Sequence, residues 1–231
     1  MTVTMTIPAC VAEWFRQLQT RPLAEVAPDP AAAAVFSADM VVGFCTRGNL
    51  ASTRLNALTQ PVVDLFRQAY VHGIPHFVLV QDRHHPSTPE FNAFPPHCVR
   101  GTEEAHTIAA LQALPFADLF IIMAKNSLHP TLGTKFDHWL DAHPEVRTAI
   151  VVGNCTDLCV YQLAIHLRLR ANAYNPSGFR VIGPAEAVDT YAVPEDGPED
   201  VGATPHPGDF FHQVFLYHLA LNGVEVVRAL S

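Results

Sequence analysis

Four nearly continuous apolar runs punctuate the chain: Ala31 to Ala38, His76 to Val80, Leu119 to Ala124 and Thr148 to Val152. Runs of this length, without polar alternation, are the pattern of strands covered on both faces of a parallel sheet. Between them the apolar positions recur at helical spacing. Val62, Val63, Leu65, Phe66 and Ala69 lead to His72-Gly73, a helix stop. A further helix is read from about Glu103 to Ala113, another around Phe136, Trp139 and Leu140, and a fourth through Val160, Leu163, Ala164 and Leu167. A fifth strand spans Arg180 to Ile182 with a continuation toward Val188, followed by a helix from Phe210 to Leu221 and a last edge strand from Val224 to Val227. Residues 10 to 26 read as a short amphipathic helix (Val11, Trp14, Phe15, Leu18) ahead of a turn marked by Pro28 and Pro30. Strand alternating with helix predicts an α/β fold: three α/β/α layers around a mostly parallel sheet of about six strands. One domain over residues 1–231 is expected, with an N-terminal helical extension over about residues 1–30. Pro194 to Pro207, rich in Pro, Gly and acid, reads as a long loop within that domain.

The strand ends carry the chemistry. Three runs terminate in or beside a charge, at Asp39, Asp82 and Lys125, and the fourth leads through Gly153 to Cys159. In open parallel sheets this edge is where ligands bind, so the four side chains should converge on one crevice. Taken alone, Asp39 suits either a site or a loop cap. Cys159 falls in the first turn of a helix that Thr156 or Asp157 can cap, where the helix dipole would lower a thiol pKa to roughly 3.5–7.5. The other reading of a lone cysteine there is a buried packing residue.

The loop Gln81 to Glu104 is the most chemically dense stretch. Asp82 and His84 are two apart, so an extended segment points both to one side, and Glu90 and His97 can fold back over them. Such a donor set suits a borderline divalent ion, Zn, Mn or Fe. His85 is an alternative to His84, and a solvated loop with His and Asp in turn roles is the other reading.

Composition narrows the class. A chain of 231 residues buries roughly 70–75% of its unfolded surface, enough for one core without staples. Formal net charge is −8 and the 14 Lys and Arg are scattered, which argues against nucleic acid and anionic membrane as partners. No 18 apolar residues run together. Five cysteines (Cys10, Cys45, Cys98, Cys155, Cys159), with no secretory pattern in MTVTMTIPAC, predict reduced thiols and a cytoplasmic location.

Asp39 with Phe44, Asp82-Arg83-His84, FPPHCVRGTE (Phe94 to Glu103), Lys125, and GNCTDLCV (Gly153 to Val160) occur in an order that resembles the nicotinamidase branch of the isochorismatase-like cysteine hydrolases, from about Val35 onward. The resemblance implies that family's hydrolase fold and an Asp39/Lys125/Cys159 triad. Asp39 would be general base, Lys125 the charge partner, and Cys159 the nucleophile that forms a thioester with an amide substrate. It implies an oxyanion hole from the backbone N–H groups of Cys155 and Cys159 around a cis Asn154-Cys155 bond. It carries over Asp82, His84, Glu90 and His97 as ligands of a divalent metal, foremost zinc. Phe44, Phe94 and Asn154 are the implied substrate-binding residues, either phenylalanine being equally explicable as core. Homo-oligomers are expected, and the implied reaction is nicotinamide to nicotinate and ammonia, in NAD salvage. The chain departs from its relatives at Val41, Arg83, Phe94 and His129-Pro130-Thr131, and Cys155 stands where alanine is usual. These departures keep open a sibling hydrolase of another small amide or carbamate, and a non-catalytic binding homologue.

Overall fold

The computed structural model describes residues 6–194 and 204–231. Seven strands form one sheet, β1 (Ala33–Ala38), β2 (His76–Asp82), β3 (Phe120–Lys125), β4 (Thr148–Asn154), β5 (Arg180–Pro184), β6 (Val188–Asp189) and β7 (Glu225–Val227). The order is β3-β2-β1-β4-β5-β7, with β6 against the end of β4, and every pairing is parallel. The chain builds outward from β1 to β3 and then returns to lay β4 on the other side of β1. Strand order therefore reverses between β1 and β4, and the crevice of a parallel sheet opens at the C-terminal ends of such a pair.

Nine helices flank the sheet among the described residues: α1 (Ala9–Arg16), α2 (Leu23–Val26), α3 (Val42–Cys45), α4 (Thr53–Ala57), α5 (Thr59–His72), α6 (Ala109–Gln112), α7 (Phe136–Ala142), α8 (Cys159–Tyr174) and α9 (Gly208–Leu221). Alternate residues of each strand serve opposite faces. Val35, Phe77, Leu79, Ile150 and Val152 meet Leu65 and Phe66 of α5. Phe36, Val78, Val80 and Val151 meet Phe136 of α7, Leu163 of α8 and Leu216 of α9. The three layers expected from the alternation of elements are present, with seven strands instead of about six.

Several boundaries differ from the sequence reading. The N-terminal helix is two pieces, because Pro22 restarts the chain as α2, and α1 packs on α9 through Trp14 and Tyr217, 5.2 Å apart. The helix read over Glu103 to Ala113 is a 3₁₀ turn (Glu103–Ala105) and the four-residue α6, separated by a bridge between Val41 and Thr107. Strand β5 stops at Pro184, and Val188 belongs to β6, which pairs with β4. Strand β3 is an edge strand with one face open: Ile122 is 45% exposed. Its apolar run imitates a strand covered on both sides. Most of the loop read over Pro194 to Pro207 lies outside the described residues, and its flanks are held by paired hydrogen bonds between Val193 and His206.

The run read as Thr148 to Val152 continues two residues further, through Gly153 into Asn154. Gly153 has φ 106°, and a Cβ there would stand 2.0 Å from the Ala38 carbonyl oxygen. Only glycine lets β4 press this closely on β1 at the residue before Asp39. Gly153→Ala should therefore cost about 3 kcal/mol or more in urea denaturation, combining backbone strain and overpacking. A change below about 0.5 kcal/mol, the usual surface range, would show that the approach is not tight.

Candidate active site

Asp39 follows β1 with φ 50°, a left-handed conformation that aspartate tolerates better than most residues, and its Oδ1 accepts the Asp82 N–H at 2.7 Å. Lys125, the last residue of β3, places Nζ 2.9 Å from Asp39 Oδ2, 2.5 Å from Asp82 Oδ1 and 3.3 Å from Cys159 Sγ. The convergence expected of the strand ends is thus observed, and all four side chains are buried. Burial and the neighbouring Asp82 charge lift the Asp39 carboxyl to about 6, against the pull of Lys125. Burial works against the charge on Asp82 too, but Lys125 and the two nearby imidazoles outweigh it and hold that carboxyl below the usual range. Burial alone would lower Lys125; Asp39 and Asp82 raise it well above its ordinary value.

The expected low thiol pKa is not found. Burial, Asp39 and Asp82 raise Cys159 well above an ordinary thiol, with Lys125 pulling the other way. The helix-terminus argument omitted two carboxylates and complete desolvation. The resting Cys159 side chain is a thiol, so any nucleophilic role would require a neighbouring base to take its proton. Nor do Thr156 and Asp157 cap α8: Thr156 Oγ lies 2.9 Å from His212 Nδ1, and Asp157 Oδ2 lies 2.7 Å from His206 Nε2.

The Asn154-Cys155 peptide bond is cis. Among the described residues, neither the Cys155 nor the Cys159 N–H donates to a backbone carbonyl in this turn. The Asn154 side chain is fully buried and donates to the Asp39 carbonyl at 2.9 Å, so it ties the ends of β1 and β4 together. Cys155 is buried beside Tyr191, and burial pushes its thiol above the ordinary range, as a packed residue should behave.

Beside the triad, His84 Nε2 lies 3.3 Å from Asp82 Oδ1 and 3.5 Å from Glu90 Oε1, and His97 Nε2 lies 3.7 Å from Asp82 Oδ2. A tetrahedral ion with bonds of about 2.0–2.1 Å sets its ligand atoms about 3.4 Å apart, so this spacing suits one ion. Asp82 Oδ2, His84 Nε2 and Glu90 Oε1 are buried without a hydrogen-bond partner, which fits donors that face a cation. His97 Nδ1 donates to the Pro95 carbonyl at 2.8 Å, leaving the Nε2 lone pair toward Asp82. His85 points away: it is exposed, with its ring bonded to Ser87. Asp82 is shared by the two groups, one oxygen on Lys125 and the other toward His97.

Phe44 packs on His97 at 5.3 Å and Phe94 stands 6.3 Å from the same ring. Phe91, not singled out in the sequence, is 5.4 Å from His84 and 5.7 Å from His97; its one signal was adjacency to Glu90. Val41 is buried core, and the Arg83 N–H donates to the Lys125 carbonyl. A cavity of about 560 Å³ lies along β3, lined by Ile122, Met123, Thr134, Lys135 and Trp139 among others, and no triad residue contributes to it. A second network escaped the sequence reading. Arg54 binds Asp189 and Asp209, and His206 and His212 reach back to the turn between Cys155 and Cys159. Its partners are 49 and 56 residues apart in the His206 and His212 contacts, so no local spacing announces them.

The Isochorismatase domain family model matches residues 33–196. The chain is 31% identical over 214 residues to Nicotinamidase 1 of Arabidopsis thaliana, covering 84% of each protein. Among solved structures it is similar to a pyrazinamidase/nicotinamidase from Streptococcus mutans (24% identity, TM-score 0.65, 84% of this chain and 99% of that one). It is also similar to N-carbamoylsarcosine amidase from Thermoplasma acidophilum (22% identity, TM-score 0.64, 85% and 95%). With the sheet, the strand-end convergence and these matches in place, the chain belongs to the isochorismatase family of hydrolases. No helix among the described residues is long and apolar enough to cross a membrane.

His206, behind the turn that carries Cys159, titrates with a defined sign. Burial would lower His206, but Asp157 raises it above its ordinary value. A raised folded pKa adds stability that is complete below about 6.5 and is lost as pH rises through the folded value. His206→Gln should therefore lower the melting temperature more at about pH 6 than at about pH 9, the imidazole being neutral in the second case. An equal deficit at both pH values would mean that the pair carries no charge.

Proposed function

We propose that this chain is a metal-dependent nicotinamidase, hydrolysing nicotinamide to nicotinate and ammonia through a thioester on Cys159. The observation that carries the reading is the position of Lys125 Nζ, within 2.9 Å of Asp39 and 3.3 Å of Cys159 Sγ, beside the Asp82/His84/His97 cluster. The 31% identity to a curated plant nicotinamidase supports the choice of substrate.

Asp39 takes the Cys159 proton; with its pKa raised to about 6, it is a stronger base than an ordinary carboxylate and is still ionised at neutral pH. The sulfur then attacks the amide carbonyl, and the N–H groups of Cys155 and Cys159 receive the developing oxyanion. Collapse breaks the C–N bond, Asp39 returns its proton to the nitrogen, and ammonia leaves. Asp39 next takes a proton from water, which opens the thioester to release nicotinate and the thiol. Lys125 stays protonated throughout, countering the aspartate and sulfur charges as they form. Asp82, His84 and His97, with Glu90 beside them, would hold a divalent ion, zinc foremost, which when bound supplies a Lewis-acid contact for the pyridine nitrogen. Phe44, Phe91 and Phe94 would cover the faces of the ring. In His129-Pro130-Thr131, where the chain departs from relatives, the His129 ring packs against His166 at 5.3 Å.

Ammonia release from nicotinamide by zinc-loaded protein is the expected outcome. Cys159→Ala should lose at least about 1,000-fold of that turnover while circular dichroism and melting stay native. Acid quenching of the wild type should trap a nicotinoyl adduct on Cys159, read by peptide mass spectrometry. Hydrolysis of other small amides without nicotinamide turnover would overturn the substrate while leaving the cysteine chemistry; full activity in Cys159→Ala would overturn both.

A further inference from the structure

At the opposite edge of the sheet, where the strands begin, lies a second group of metal-ligating side chains. His76 opens β2, His143 follows the end of α7, and Glu145 lies in the turn leading to β4. Their ligand atoms all lie within 4.8 Å of one another, and His76 Nε2 stands 3.6 Å from Glu145 Oε1. Asp82 lies six steps along β2 from His76, about 20 Å at roughly 3.3 Å per residue, so the two clusters cannot share an ion.

A salt bridge explains this arrangement poorly. At 3.6 Å the His76 and Glu145 atoms are too far apart for a hydrogen bond, and the Glu145 side chain is 49% exposed. Both imidazoles are nevertheless held in place. His143 stacks on the Trp139 indole at 4.1 Å, and its Nδ1 donates to the Trp139 carbonyl at 2.7 Å, turning the Nε2 lone pair outward. His76 meets the same indole edge-on at 5.4 Å and the His143 ring at 4.9 Å. A ligating histidine is typically fixed this way, by a hydrogen bond from its other nitrogen. The 3.6 Å separation is close to the roughly 3.4 Å edge of a tetrahedron with 2.0–2.1 Å bonds, and the exposed side leaves room for water as the fourth ligand.

We propose that His76, His143 and Glu145 form a second divalent transition-metal site, taking Zn²⁺ or Ni²⁺, which pins the start of β2 to the end of α7 and the turn before β4. The site is structural, and it stands apart from the proposed nicotinamide chemistry. Trp139, against both imidazoles, is a built-in reporter, and Trp14 is the one other tryptophan. In a Trp14→Phe background, chelator-stripped protein reloaded with zinc and desalted should carry two zinc ions per chain by elemental analysis. Glu145→Ala, which removes an exposed side chain and leaves the core alone, and His143→Ala should each carry one. Ni²⁺ added to protein holding a single zinc should quench Trp139 saturably at micromolar concentration, and both variants should weaken that binding by about 10–100-fold or more. Equal zinc content in parent and variants, quenching only at about millimolar Ni²⁺, or equal quenching in parent and variants would each overturn the site.

Discussion

The buried ammonium of Lys125 is the interaction on which the active site depends. It lies between two carboxylates and a thiol, 2.5 to 3.3 Å from each, and only 3% of its surface reaches solvent. Two ionised carboxylates facing each other in a dry crevice are unstable without a cation between them. The same cation explains why their protons are held so differently. Asp82 has Lys125 and two imidazoles around it and stays charged, whereas Asp39 has a share of Lys125 and the repulsion of Asp82, and rises to about 6. The pair is thereby divided into a permanent anion, suited to a metal, and a base that can exchange protons near neutral pH.

The fold brings these groups together by a simple device. Asp39 and Cys159 follow the two strands between which the strand order reverses, and Asp82 and Lys125 end the two strands on the β1 side. Asp82 and Lys125 are partners in the β2–β3 register, which sets them side by side. Gly153 permits β4 to close on β1, and Asn154 bonds to the Asp39 carbonyl across that contact. The turn that presents Cys159 is braced from behind by His206 and His212, so residues late in the chain hold that turn in place.

The fold and most of this site were legible in the sequence because local signals and shared ends of strands coincided. Asp39, Asp82 and Lys125 stood at the ends of apolar runs, and His84 could be tied to Asp82 by the period of an extended strand. What failed, failed for lack of tertiary context. A helix terminus favours a thiolate, but only coordinates show Cys159 desolvated between carboxylates. The run in β3 looks buried because its outward residues are apolar, yet Ile122 faces a cavity at the sheet edge. Thr156 and Asp157 have the chemistry of helix caps and spend it on histidines contributed by distant segments. Asn154, expected to contact substrate, also donates its side-chain N–H to the Asp39 carbonyl, a bond that no local pattern announces.

The shared role of Lys125 can be measured directly by a double-mutant cycle on stability in chelator-treated protein, pairing Lys125→Met with Asp82→Asn. Removing the ammonium alone should cost about 3–5 kcal/mol, because it strands buried carboxylates. Neutralising Asp82 in the same molecule should return part of that loss, giving a coupling energy of about 1–3 kcal/mol. Strict additivity, with the double variant no more stable than the sum of the two singles requires, would contradict Lys125 as the counter-ion that the whole crevice shares.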